Sequence, residues 1–325
     1  MPFERCPTLA LIPVYDDWEV LSLLLAQLDE ELSKKGQRAS IIAVDDGSRT
    51  VHALKNLRFR ALQSVEILHL RRNVGHQRAI ALGLAYVEAR VPCEMVIVMD
   101  ADGEDTPEDS LRLLEHAKAE GNSKAVFALR HKRSEGPLFR FFYVLYRIAF
   151  RVLTGQTIRF GNFSVIPRSV LRKLVAVSEI WNHYSAGVQR ARLPSAYLPT
   201  SRGMRLAGRS SMSFVSLITH GMSAISVHAE AVGSRMLVAA SLFAVTILVG
   251  MLTVVGIRLL TDLAIPGWAS FVFGLLALLL SQTFFVALFF AGTIMHGRNS
   301  YTFLPSRDYD KLVDSLETLE VDNVT

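Results

Sequence analysis

Cysteine is scarce in this chain, at two of 325 residues. Cys6 and Cys93 match no metal-ligand or redox spacing, so a disulfide framework is excluded and a reducing cytoplasm is expected. The N-terminal MPFERCPTLA lacks the basic flank and long apolar core of a secretory leader. No Walker A motif and no G-x-G-x-x-G follow the first predicted strand, which argues against P-loop and Rossmann dinucleotide sites. G-x-S-x-G and H-E-x-x-H are also absent, and with them nucleophile-elbow hydrolases and zincin proteases. Hydrophobic residues make up 50% and charged residues 20%, which excludes a disordered or collagen-like chain. A mean hydropathy of +0.30 is high for a soluble protein and low for a polytopic transporter. A soluble part with a membrane part attached fits both figures.

Acid is nearly lacking from one block. Residues 130–210 hold 15 basic residues against two acidic ones, Glu135 and Glu179, although the whole chain carries only +5. Residues 1–129 are net −5 and the tail, 297–325, is net −3. A basic block beside apolar segments suits anionic lipid head groups or phosphates. Nucleic acid is the weaker reading, because apolar spans follow directly.

Charge is lacking altogether from Met236–Ile257, 22 residues, and from Leu263–Met295, 33 residues. A bilayer core takes roughly 20 apolar residues in a helix, so two transmembrane helices are predicted, about 236–257 and 268–295. A buried soluble hairpin is the alternative. Lys and Arg concentrate before the first span, and Arg298, Arg307 and Lys311 follow the second, while the connecting loop has only Arg258. The positive-inside rule then puts both termini in the cytoplasm. In FRFFYVLYRIAFRVL, Arg140, Arg147 and Arg151 share one side of a helix with a large aromatic face opposite. Such a helix, about 138–153, lies in the head-group plane or packs in a core.

The remaining sequence alternates apolar runs with helical patterns. Strands are predicted at 8–15, 40–46, 65–70, 94–100 and 124–130, with helices at 17–35, around 50–62, at 75–90 and after Thr106. Thr106 caps that last helix, Pro107 starts it and Gly121 lies past its end. This order predicts an α/β fold with a mostly parallel sheet covered by helices. Ligands of such sheets bind beyond the carboxyl ends of the strands. Three strands deliver polar side chains there: Tyr15, Asp16 and Asp17; Asp45 and Asp46; Asp100 and Asp102. Carboxylates at i and i+2, as in Asp100 and Asp102, can face one side and hold a hard divalent cation against a diphosphate. Asp45 or Asp46 could accept from a nucleoside; helix capping by Asp46 or Ser48 is the plainer use.

Four strings in order, IPVYDD, VDDGSRT, RRNVGHQRAIALGL and MDADGED, resemble the family 2 glycosyltransferases with the GT-A fold. RSEGPLFRFFYVLYRIAF, GNFSVIPRSVLRKL and RGMRLAGRSSM before two terminal spans resemble the dolichol-phosphate mannose synthase and undecaprenyl-phosphate sugar transferase branch. The resemblance covers about residues 7–296. It implies inverting transfer from a UDP- or GDP-sugar with Mg²⁺ or Mn²⁺. It places Pro13, Tyr15 and Asp17 against the nucleotide, Asp46 against the nucleoside with Asp45 beside it, and Asp100, Ala101 and Asp102 at the diphosphate and metal. Glu104 stands where that branch usually has Gln. Arg205 matches a residue that reaches the phosphates, and Arg130 and Arg133 fall near the donor or acceptor phosphate. Departures from the pattern are Asn162, usually acidic, Ser211, usually Lys, and the segment Glu179–Pro194.

A lipid phosphate is already anionic and needs cations, which 130–210 supplies; a hydroxyl acceptor needs a carboxylate base. The expected function is transfer to a polyprenyl phosphate. The alternatives are a hydroxyl acceptor in polysaccharide or glycolipid synthesis, with Glu135, Glu179, Glu104 or Asp105 as base, and a non-catalytic sugar-nucleotide binding protein. His76 reads as a cap or packing residue at least as readily as a donor contact. Gly161 and Asn162 read as a turn below the acceptor site. The expected domains are a cytoplasmic catalytic domain over 1–210, a juxtamembrane segment over 211–235, a transmembrane hairpin over 236–296 and an acidic tail over 297–325. That tail reads as a solvated helix or disordered segment. The expected partners are the nucleotide sugar, a lipid acceptor and the membrane, with a homo-oligomer open and no nucleic acid.

Overall fold

The computed structural model describes residues 7–52, 54, 57–130, 137–157, 160–201, 203–207, 214–261, 265–299 and 302–323. The chain forms two compact units. The first comprises Met1–Phe142, Ile158–Val227 and Thr302–Thr325; the second comprises Tyr143–Thr157 and His228–Tyr301.

The first unit begins with β1 (Thr8–Val14), α1 (Trp18–Lys34) and β2 (Ala39–Asp45). Then come β3 (Leu57–Phe59), β4 (Leu62–Leu70), α2 (His76–Arg90) and β5 (Met95–Val98). They are followed by α3 (Pro107–Ala119), β6 (Ala125–Arg130) and α4 (Pro137–Thr154), which runs from the first unit into the second. The first unit resumes with β7 (Ser164–Pro167), α5 (Arg168–Leu174), α6 (Tyr184–Arg190), β8 (Ser195–Thr200) and α7 (Phe214–Ser226).

The second unit contains α8 (Ala229–Leu260) and α9 (Trp268–Asn299). The chain then returns to the first unit as α10 (Pro305–Asp308), β9 (Val313–Leu319) and β10 (Val321–Asn323).

Eight strands form one sheet in the order β8-β6-β7-β5-β1-β2-β4-β9. β7 and β9 run antiparallel to their neighbours, and the other six are mutually parallel. The expected mostly parallel α/β sheet is therefore present. β1 and β2 are buried along their whole length, as strands covered on both faces must be. Leu21, Leu24, Leu25 and Leu28 of α1 pack with Leu113 and Leu114 of α3 on one face. Ile80, Leu82 and Leu84 of α2 pack with Leu171 and Leu174 of α5 on the other. From β1 the chain moves to β2 and β4, then crosses to β5 on β1's other side. The reversal of strand order thus lies between β1 and β5, where a crevice opens at the carboxyl ends of such sheets.

Two expectations are corrected. The predicted helix around 50–62 is not formed among its described residues, which exclude 53, 55 and 56: β3 and the start of β4 stand there, because α1 and the C-terminal strand β10 capture this stretch. The acidic tail is not a solvated helix or disordered segment among its described residues: β9 pairs antiparallel with β4, and β10 pairs parallel with β3. Val313 and Leu316 pack on one face of the sheet and Leu319 on the other, so apolar contacts hold the strand from both sides.

In the second unit, α8 and α9 are each long and apolar enough to cross a membrane. They extend beyond the predicted spans, and α8 takes in the last part of the expected juxtamembrane segment. Gly233, Ala240, Ile247 and Val254 are the buried positions of α8, a seven-residue repeat like that of helices crossing at a shallow angle. A Cβ on Gly233 would come within 2.8 Å of Ile294, so glycine permits the close approach. Most other apolar side chains are exposed, among them Leu252 at 71% and Phe271 at 74%, which a buried soluble hairpin would not allow.

Candidate active site

Because β5, β1 and β2 are adjacent and parallel, their carboxyl ends bring Asp100, Tyr15, Asp16, Asp45 and Asp46 to one edge. Pro13 is buried within β1. Tyr15 is exposed, with the Arg49 guanidinium 5.8 Å from its ring centre. Asp17 is exposed at the start of α1 and makes no side-chain cap. Asp16, between them, organises the loop. Its backbone takes a positive φ of 56°, and its Oδ1 accepts from Arg49 N (2.8 Å), Thr50 N (3.0 Å) and Thr50 Oγ1 (3.0 Å). The Thr50 amide leads in lowering its pKa.

Asp46 Oδ1 accepts from Val74 N at 2.7 Å and Oδ2 from Gly75 N at 2.9 Å. It therefore clamps the turn into α2, rather than capping a helix after Ser48. Burial raises its pKa against those two donors. Gly47 has φ 69°, and a Cβ there would lie 2.6 Å from Asn73 N, so the same turn demands glycine. Asp45 Oδ1 accepts from Ser48 N at 2.8 Å, and its Oδ2 lies 2.9 Å from His69 Nδ1. His69 Nε2 is in turn 3.1 Å from Glu317 Oε2, on β9.

Past β5, Asp105 Oδ2 accepts from Asp100 N at 3.0 Å, and Asp102 Oδ1 from Glu104 N at 3.0 Å. Ala101, between the two aspartates, is buried. Arg205 Nη2 donates to Asp102 Oδ2 at 2.7 Å, and its Nε lies 3.9 Å from Glu104 Oε1. Leu206 N donates to Asp102 O and Gly203 N to Glu104 O, both at 3.0 Å, so the segment 203–207 lies directly on this loop. Gly103 has φ 79°, and a Cβ there would meet Leu206. Burial raises the Asp102 carboxyl, opposed by the Glu104 amide and Arg205.

His76 contacts Asp100 rather than only packing: Nε2 is 3.1 Å from Asp100 Oδ1. A backbone amide sets the polarity behind it. Tyr184 N donates to Gln77 Oε1 (2.8 Å), so Gln77 Nε2 must donate to Asn162 Oδ1 (3.1 Å). That leaves Asn162 Nδ2 facing His76 Nε2 at 3.1 Å. Asn162 thus belongs to this network rather than to a plain turn. Burial disfavours a charge on His76, but Asp100, Asp46 and Asp105 outweigh it and raise its pKa.

Of the remaining candidates, Arg130 ends β6 opposite Thr200 of β8, while Arg133 and Ser211 lie outside the described residues. Glu179 is engaged by Arg190 Nε (3.0 Å) and Ser178 Oγ (3.0 Å). Burial raises its pKa, and its hydrogen bonds together more than reverse this. His52, His69 and Glu317 were not signalled by any local motif. They come together because β9 pairs with β4.

The family model described as glycosyl transferase family 2 matches residues 10–175, half of the chain. The Bacillus subtilis (strain 168) protein named uncharacterized glycosyltransferase YkcC is 27% identical over 269 residues, 81% of this chain and 80% of that protein. The undecaprenyl-phosphate 4-deoxy-4-formamido-L-arabinose transferase of Edwardsiella ictaluri (strain 93-146) is 34% identical over 109 residues, 33% of this chain and 32% of that protein. Among solved structures, glucosyl-3-phosphoglycerate synthase from Mycobacterium tuberculosis, in complex with Mn²⁺, UDP-glucose and phosphoglyceric acid, aligns over 70% of this chain and 80% of that chain. The identity is 12% and the TM-score 0.49.

Proposed function

The chain belongs to glycosyl transferase family 2, and from that membership we propose that it transfers a sugar, with inversion, from a nucleotide sugar to a polyprenyl phosphate at the cytoplasmic membrane face. One observation carries the reading: Asp100 and Asp102 leave β5 beside the β1–β5 crevice, with Arg205 2.7 Å from Asp102. Carboxylate oxygens suit Mg²⁺ or Mn²⁺. Among the described residues no group of three His, Cys, Asp or Glu could hold a metal ion. Asp100 and Asp102 would hold the cation, with diphosphate and water completing its shell. When bound, the cation neutralises charge developing on the leaving diphosphate. Arg205 is the chain's own cation for the same charge, and Asp102 and Glu104 hold it within reach. Tyr15, Asp16 and the 45–50 loop would take the nucleoside.

Charge supports the phosphate acceptor. A phosphate nucleophile needs no base, and Glu179 is tied to Arg190. The relative named as an undecaprenyl-phosphate transferase and the two membrane-length helices support a lipid acceptor. A hydroxyl acceptor has no such support, and the non-catalytic alternative gives way to family membership.

The test is label transfer by the full protein in detergent, given polyprenyl phosphate, Mg²⁺ or Mn²⁺, and a panel of labelled UDP- and GDP-sugars. Label should enter an organic-extractable lipid. Asp102→Asn should lower the rate about 100-fold, the scale of losing a group that stabilises developing charge. Donor hydrolysis without lipid labelling would overturn the phosphate acceptor, and no turnover of any donor would overturn the reading.

A further inference from the structure

The tail lies outside both the family match and the sequence resemblance, yet it reaches the loop between β2 and β3. It is fastened along its length. Phe303 stacks on Trp181 with ring centres 3.8 Å apart. Ser306 N donates to Val175 O (3.0 Å), Arg90 Nε to Tyr309 Oη (3.3 Å) and Arg71 N to Leu312 O (3.0 Å). β9 then pairs with β4 so that Ser315 faces His69 and Glu317 faces Ile67. Glu317 is thereby the diagonal neighbour of His69 on one face of the sheet.

Its Oε2 meets two imidazoles, His69 Nε2 at 3.1 Å and His52 Nε2 at 3.0 Å. These two histidines flank both ends of the loop. His69 Nδ1 is 2.9 Å from Asp45 Oδ2. His52 packs edge-on to Trp18 at 5.5 Å, and Trp18 Nε1 donates to Thr50 O at 3.0 Å. An imidazole with a carboxylate at each nitrogen satisfies both only as the imidazolium, which donates twice. Burial opposes a charge on His69, but Asp45 and Glu317 together raise its pKa.

We propose that Glu317 is a positioning residue of the donor site: through His69 it orients Asp45, and through His52 it holds the far end of the 45–52 loop. The strand that follows the membrane helices is then part of the nucleotide-binding apparatus. The inference rests on the reading of that loop as the nucleotide-contacting one.

Calorimetric titration of the full protein in detergent with UDP and with GDP, each with Mn²⁺, tests it. Glu317→Ala should weaken nucleotide binding about tenfold, the scale of one hydrogen bond to a charged group. Glu317→Gln, which keeps an acceptor oxygen, should recover most of the affinity. Glu320→Ala removes the same charge from the same tail and should bind as the wild type does. His69→Ala leaves the His52 contact in place and should cost part of the Glu317→Ala loss, and the double variant should be little worse than Glu317→Ala. Should the alanine variant fail to fold, Glu317→Met, which keeps the side-chain length but no acceptor, decides in its place. Wild-type binding with unchanged affinity in the Glu317 variants would overturn this inference alone. So would additive losses in the double variant, or an equal loss in Glu320→Ala. A wild-type protein that binds neither nucleotide would overturn the nucleotide reading and this inference with it.

Discussion

Glu66 is fully buried on β4, and neither carboxyl oxygen has a hydrogen-bond partner among the described residues. Burial raises its pKa to about 7 from 4.5. The folded protein therefore keeps a proton on Glu66 that the unfolded chain has already released. Stability is lost as pH rises from 4.5 through about 7, and the penalty is then constant, at about 3 kcal/mol. Glu66→Met should raise the thermal midpoint clearly at pH 8 and little at pH 5. An equal shift at both would show that the carboxyl does not titrate in this window. At this same scale, much of the candidate site is legible in the sequence. Asp100 and Asp102 announce themselves because an i, i+2 pair at a strand exit is a local pattern. Asp16 is less legible, since nothing local signals that its carboxylate will collect the Arg49 and Thr50 amides.

At the scale of elements, α1 reaches across to organise the turn between β3 and β4. Asp29 is 9% exposed, and its Oδ1 accepts from Arg60 N (3.0 Å), Ala61 N (2.8 Å) and Leu62 N (3.0 Å). Asp29→Ala would leave these amides unpaired and should cost about 3 kcal/mol, read as a lowered unfolding midpoint. Asp29→Asn keeps one acceptor oxygen and should cost less. This contact explains why the predicted helix at 50–62 does not form. Leu54, Leu57, Phe59 and Leu62 can be read at either a helical or an extended period. The choice falls to partners distant in sequence: the Asp29 carboxylate and β10. The helix after Thr106 needed no such help. Its cap hydrogen bond, from Asp109 N to Thr106 Oγ1 at 3.2 Å, is local, and so is Gly121 at φ 65° past its end.

For the whole molecule, the consequence of the tail is topological. β9 joins the same sheet as β1, β2 and β4 to β8, while α8 and α9 intervene in sequence. Two crossings return a chain to the side it left, so the catalytic unit and the tail should share one face of the membrane. With Cys6 and Cys93 replaced by serine, a membrane-impermeant maleimide applied to intact cells should label Pro266→Cys and spare both Glu108→Cys and Asp314→Cys. Labelling of Glu108→Cys and Asp314→Cys from opposite sides would contradict the shared sheet.

The sequence by itself determined the parallel α/β framework, the two membrane-length helices, the carboxylates at the strand ends and the resemblance that the family match bears out. These rest on periodicity, charge-free length and short motifs, which are written within a few residues of one another. The tertiary structure alone decided that His76 faces Asp100, that Asn162 is oriented through Gln77 by a backbone amide, and that Glu317 meets His69 across 248 positions. Each of these depends on strand order and register, which place residues distant in sequence within hydrogen-bonding distance. An acidic tail whose apolar residues Val313, Leu316 and Leu319 stand three apart, without the alternation of a strand, becomes one because β4 presents it with an edge to pair.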